Sequence, residues 1–137
     1  MVIDQMINVY AASGSTHKNE RNDMFMSEIV PHISTVKQNV IVGDFNCVLL
    51  KSDSNSKNLN TCVGLETLVQ TLQLYDVELK KNRRGNFTFI RGQSKSRLDR
   101  YYASLEVIEK VKTIATKPVA FSDHHALVLK YRNLIGA

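Results

Sequence analysis

Two polar side chains close an apolar run near the middle of the chain. Val40-Ile41-Val42 leads into Gly43, and Asp44 and Asn46 follow two apart. A short apolar run bounded by turn residues reads as a buried strand. Alternation sets Asp44 and Asn46 on one side of that strand if the extended backbone continues past the glycine. Two more polar clusters sit at predicted strand ends: Ser96-Arg97-Leu98-Asp99-Arg100, and Ser122-Asp123-His124-His125 just before Ala126-Leu127-Val128-Leu129. Singly, each has an ordinary reading: a strand closing in a Gly-Asp turn, a charged strand, a turn with capping residues. Together, aspartates, an asparagine and a histidine at strand termini make a constellation for a hard cation and a general base. Magnesium takes oxygen donors, keeps several waters and needs only one or two carboxylates. Asp99 can pair with His124, fixing the imidazole tautomer or holding its proton. An imidazole so held can stabilise charge on a phosphoryl oxygen. No glycine-rich phosphate loop is present, and Ala11-Ala12-Ser13-Gly14 does not make a nucleophile elbow.

The elements that must position these groups follow from periodicity. Met6 to Ala11 reads as a strand with Ile7 and Val9 on one face. From about His17 to Val30 the pattern is helical, with Phe25, Ile29 and Ile33 at four-residue spacing, and Pro31 ends or kinks the helix. The central strand spans about Asn39 to Phe45. Lys51 to Thr61 is a polar loop. Leu65, Leu68, Val69 and Leu72 predict an amphipathic helix, which Leu74 to Val77 closes. Phe87 to Ile90, Arg97 to Ala103, Val111 to Thr116 and Ala126 to Tyr131 are predicted strands, the last of them buried. Helices interleave with strands early and strands dominate late, which predicts an α/β layered domain.

The 137 residues suffice for one domain, and 43% hydrophobic with 23% charged residues is the composition of a folded chain. Eighteen basic against thirteen acidic residues give +5, which leans toward a polyanionic partner. Cys47 and Cys62 lack metal-site spacing and are expected to be reduced thiols of an intracellular protein. No signal peptide or membrane-spanning run is visible, so no membrane partner is expected. No protein partner can be inferred.

Asn8-Val9-Tyr10, Val42-Gly43-Asp44-Phe45-Asn46, Phe87-Thr88-Phe89, Ser96-Arg97-Leu98-Asp99-Arg100-Tyr101 and Ser122-Asp123-His124-His125-Ala126 occur in the order seen in a known superfamily. Through them nearly the whole chain resembles the endonuclease/exonuclease/phosphatase superfamily. Within it, the chain is most similar to the apurinic-endonuclease-like domain of non-LTR (LINE-type) retrotransposons. The resemblance implies a deoxyribonuclease-like α/β fold: a two-layer β-sandwich flanked by helices, here its C-terminal portion without the first strands. It implies a magnesium- or manganese-dependent phosphodiesterase that nicks DNA, with RNA as the other nucleic-acid substrate, nuclear if part of an active element. On this resemblance Asp44 would orient or deprotonate the attacking water, and Asn46 would hold that water and a phosphate oxygen. Tyr10 would contact the scissile phosphate, Asp123 would sit at the metal, and His124, supported by Asp99, would bind a phosphate oxygen. The superfamily's early asparagine and glutamate have no counterpart here, which implies a weakened metal site and impaired catalysis.

Lys80 to Arg100 holds Lys80, Lys81, Arg83, Arg84, Arg91, Lys95, Arg97 and Arg100 with Phe87 and Phe89 interleaved. It reads either as a solvated hairpin or as a DNA-backbone contact surface, with Arg83, Arg84, Arg91, Lys95 and Arg97 on phosphates. The competing function is a non-catalytic nucleic-acid-binding remnant. Asp123-His124-His125 also matches the DHH phosphoesterase signature, but that family's other aspartate motifs are missing.

Overall fold

The computed structural model describes residues 3, 5–33, 38–82 and 84–132. Along the chain these form β1 (Gln5–Tyr10), α1 (Lys18–Asp23), β2 (Asn39–Asp44), α2 (Val63–Thr71), β3 (Tyr75–Asp76), α3 (Val77–Asn82), β4 (Phe89–Arg91), β5 (Ser94–Ser96), β6 (Asp99–Ala103), α4 (Leu105–Glu109), β7 (Val111–Pro118) and β8 (His125–Tyr131). The middle layer is a four-stranded sheet in the order β1-β2-β6-β3. β1 runs parallel to β2, from Gln5 opposite Asn39 to Tyr10 opposite Asp44. A parallel pair needs a crossover, and the helical segment after β1 supplies it. That segment is α-helical only to Asp23; it continues as a π turn over Met24–Ile29 and a 3-10 turn over Val30–His32 that contains Pro31. Phe25, Ile29 and Ile33 all point inward, as their spacing predicts.

Each face of the sheet has its own core. Val9, Ile41, Phe45 and Tyr102 pack against Phe25, Ile29, Leu65 and Leu68 of the helical side. Val40 and Ala103 point the other way, onto Val77, Val107, Val111 and Ile114, with Leu127 and Leu129 of β8 behind them. Val40 and Ile41 thus serve opposite cores, which is why β2 reads as an unbroken apolar run rather than an alternating one. Burying each large apolar side chain contributes about 1.5–3 kcal/mol.

The structure departs from the sequence reading in several places. Leu74 to Val77 does not close α2. Tyr75 and Asp76 pair with Ala103 and Tyr102 as the short edge strand β3, and Val77 opens α3. β8 is half-buried rather than buried, because among the described residues it pairs only with β7 and packs on one face. Cys47 and Cys62 are free, buried thiols.

Candidate active site

The register of β2 against β6 puts Asp44 directly opposite Asp99. Opposed residues share a face with their Cβ atoms roughly 5 Å apart, so two carboxylates stand together at the end of the sheet. Their proximity is costly for Asp44. Burial, and then the charge of Asp99, push its pKa above the usual 3.8, against the pull of the Asn46 amide and of His124. His124 lies between the pair. Its Nδ1 is 2.7 Å from Asp99 Oδ2, and its Nε2 is 3.6 Å from Asp44 Oδ2. The expected Asp99–His124 pairing is therefore present, with Nδ1–H donating to Asp99. His124 is brought there by the β4 hairpin. Phe89 bridges to His124 and places its ring edge-on at 5.2 Å, while the Ile90 amide donates to the Asp123 carbonyl at 2.8 Å.

Gly43 lets β1 come close enough to complete this corner. Its φ is 145°, and a Cβ there would lie 1.9 Å from the Val9 carbonyl oxygen. Only glycine fits that approach. Tyr10, the register partner of Asp44, then projects from the same face and is 80% exposed. Asn46 does not continue the alternation. The strand ends at Asp44, and Asn46 turns into the left-handed region at φ 49°. Its amide donates to Asp44 Oδ1 at 3.0 Å, and its Nδ2 donates to the Ala11 carbonyl at 2.6 Å. Asn46 is 9% exposed and joins the end of β1 to the turn after β2. An asparagine tolerates this backbone and hydrogen-bonds locally, as here.

Two supports behind Asn46 carried no sequence signal. Asn60 Nδ2 donates to the Asn46 carbonyl at 2.8 Å. Buried Arg21 donates to Asn60 Oδ1 at 2.7 Å and to the carbonyls of Ala12 and Gly14 at 2.8 and 2.6 Å. Their partners lie far along the chain or on its backbone, where no motif marks them.

Among the described residues, Asp44, Asp99 and His124 are the one acidic and histidine group whose ligand atoms all lie within 4.8 Å of one another. Two carboxylates and one imidazole can hold a cation. Asp123 is exposed and stands outside this group.

The basic segment divides. Arg97 and Arg100 are 2% and 0% exposed and face no solvent, so the expected phosphate contact of Arg97 is corrected. Its Nε lies 2.8 Å from Asp53 Oδ1, its Nη2 2.6 Å from Asp76 Oδ2 and its Nη1 3.6 Å from Glu78 Oε1. Burial opposes its charge, but the hydrogen bonds and charges of Asp76 and Asp53 outweigh burial and raise its pKa. Arg100 lies over the rings of Phe45 and Tyr102, 5.1 and 5.6 Å from their centroids. It donates to the Cys47 and Arg97 carbonyls at 2.9 and 2.7 Å. Arg84, Arg91 and Lys95 are exposed, the last two on the β4–β5 hairpin; Arg83 lies outside the described residues.

Comparison with solved structures finds the same fold in nucleic-acid enzymes. The 3′ phosphatase NExo from Neisseria, bound to a product DNA hairpin, superposes with a TM-score of 0.75 at 17% identity over 93% of this chain and 60% of that one. An AP endonuclease from Archaeoglobus fulgidus gives 0.71 at 17% identity over 92% and 60%. The endonuclease domain of TRAS1, a telomere-specific non-LTR retrotransposon, gives 0.63 at 14% identity over 91% and 54%. The chain thus spans 60% or less of the length of these neighbours. Comparison with curated protein sequences returns no match. The family model described as endonuclease-reverse transcriptase matches residues 5–128. With the nuclease fold and this match over most of its length, the chain belongs to the endonuclease-reverse transcriptase family, within the endonuclease/exonuclease/phosphatase superfamily.

Proposed function

We propose that the site hydrolyses DNA phosphodiester bonds with the help of a divalent cation, as the nicking domain of a retrotransposon-type endonuclease acting in the nucleus. The observation that carries this reading is the imidazole of His124 set between two strand-end carboxylates, 2.7 Å from Asp99 and 3.6 Å from Asp44. Asp44 accepts the proton of the attacking water, a task that its raised pKa suits. Asp99 orients His124, whose Nε2 faces a phosphate oxygen. Tyr10 contacts the phosphate from the exposed end of β1, and Asn46 keeps the Asp44 turn in place. Asp44 and Asp99 offer the hard oxygen donors that magnesium or manganese takes, with Asp123, next to His124 in the sequence, as a further donor through water. A bound cation would supply charge neutralisation at the phosphate and a more acidic water. The expected result is conversion of supercoiled plasmid to nicked circles with magnesium or manganese, abolished by a chelator. Nicking that persists in chelator would remove the cation from the reading.

A second reading, binding without turnover, is favoured by the exposed Arg84, Arg91 and Lys95, the last two on the hairpin whose Ile90 amide donates to the Asp123 carbonyl. Protein cations that neutralise DNA phosphates release the counterions condensed there, so each neutralised phosphate contributes to the salt dependence of binding. Replacing Arg91 and Lys95 together by Ala should reduce the slope of log K against log salt by about 2. Fluorescence anisotropy on a short duplex measures it, and an unchanged slope would clear both residues of phosphate contact. Binding with no nicking at any metal concentration would favour the remnant.

A further inference from the structure

Thr88 sits just ahead of β4 in Phe87-Thr88-Phe89 and is wholly buried. Its hydroxyl oxygen accepts two main-chain hydrogen bonds, from the Leu98 amide at 3.1 Å and the Asp99 amide at 3.0 Å. Its own amide donates to the Ser96 carbonyl at 3.1 Å, and its carbonyl accepts from the His125 amide. One residue therefore grips both halves of the carboxylate–imidazole pair. The side chain holds the backbone of Asp99, and the main chain holds the residue after His124. The grip extends to the third member, because the Phe45 amide, next to Asp44, donates to the Leu98 carbonyl at 2.9 Å.

From this juxtaposition we propose that Thr88 is a positioning residue for the Asp99–His124 pair, acting through its hydroxyl. This rests on the phosphodiesterase reading for its consequence in catalysis, though not for its geometry. A hydroxyl oxygen has two lone pairs, which two amides can share. Valine has the same shape and offers neither. Without that oxygen the start of β6 is free to shift, and sub-ångström shifts at such a pair are felt in the rate. A structural threonine that merely filled space would be replaced well by valine and poorly by serine. A positioning hydroxyl predicts the reverse.

The test compares Thr88→Val and Thr88→Ser in the full chain, by proton NMR and by plasmid nicking with magnesium. The wild type should show a low-field proton resonance from His124 Nδ1–H, assigned by its loss in His124→Gln. Thr88→Val should lose it, and Thr88→Ser should keep it. In nicking, Thr88→Val should lower kcat about ten-fold with KM unchanged, while Thr88→Ser stays within about two-fold. A Thr88→Val protein that keeps both the resonance and the rate overturns the proposal, as does a serine variant as impaired as the valine one. Should the valine variant not fold, amide exchange in the wild type decides: Leu98 and Asp99 exchange slowly if Thr88 holds them, and unprotected exchange overturns it. Absence of nicking by the wild type would sink the phosphodiesterase reading and leave the resonance and exchange tests standing.

Discussion

Asp44→Asn is expected to abolish nicking while leaving the fold at least as stable as the wild type at neutral pH. The side chain keeps its size and its contact with the Asn46 amide, which lies 3.0 Å from Oδ1. It loses the negative charge, and with it both the proton acceptor and a hard oxygen donor. Loss of a general base costs about 10²–10⁴ in rate, so turnover should fall below detection on an hour scale. Stability should move the other way. Burial and the facing Asp99 raise the Asp44 pKa above 3.8. A carboxyl raised on folding stabilises the fold fully below its unfolded pKa, and that contribution fades as pH rises through the folded one. At pH 7 the wild type therefore carries an ionised group that the fold disfavours, and asparagine does not. Melting temperatures of the two proteins should converge as pH falls toward 3.8 and separate, in the variant's favour, above it. Thermal melts across that range, with nicking assays beside them, check both halves. A variant that nicks at the wild-type rate would remove Asp44 from the chemistry.

That opposition of activity and stability also explains which parts of the site could be read in the sequence. Gly43-Asp44-Phe45-Asn46 and Ser122-Asp123-His124 stand out because polar groups at the ends of apolar strands are costly and conspicuous. The pairing of Asp99 with His124 was legible for the same reason. What the motif could not say is that Asn46 would turn inward at φ 49° to bind Ala11 rather than point beside Asp44. Alternation holds only while the backbone stays extended, and the strand stops at Asp44. Thr88 was legible only as part of Phe87-Thr88-Phe89, and Asn60 not at all, because their roles are acceptance from and donation to backbone groups, which leave no trace in residue type. The two-residue β3 is too short for any periodicity, and it exists because Tyr75 and Asp76 find an open edge on β6.

The misreading of Arg97 has the largest consequence for stability. In a run of cations it looked like one more phosphate contact, because its three acidic partners are 44, 21 and 19 residues away in the sequence (97 − 53, 97 − 76, 97 − 78). In the fold it is their only close counter-charge among the described residues. Asp53 and Asp76 hold it at 2.8 and 2.6 Å, Glu78 lies at 3.6 Å, and the Arg97 amide donates to the Asp53 carbonyl at 2.7 Å. Arg97→Met keeps much of the volume and removes the charge. Three carboxylates, with Glu78 already raised by burial, would then share one dry site without a cation. Breaking a buried pair in this way costs about 3–5 kcal/mol, which for a domain of this size is a large part of the total. The loss should be greatest at neutral pH and shrink in acid, where the stranded carboxyls can protonate. A surface cation behaves differently: Arg91→Met should change stability by less than about 0.5 kcal/mol and alter only the salt dependence of binding. Urea denaturation of the two variants at pH 7 and pH 4.5 separates the roles. An Arg97→Met chain as stable as the wild type, binding DNA with a shallower salt slope, would return Arg97 to the surface.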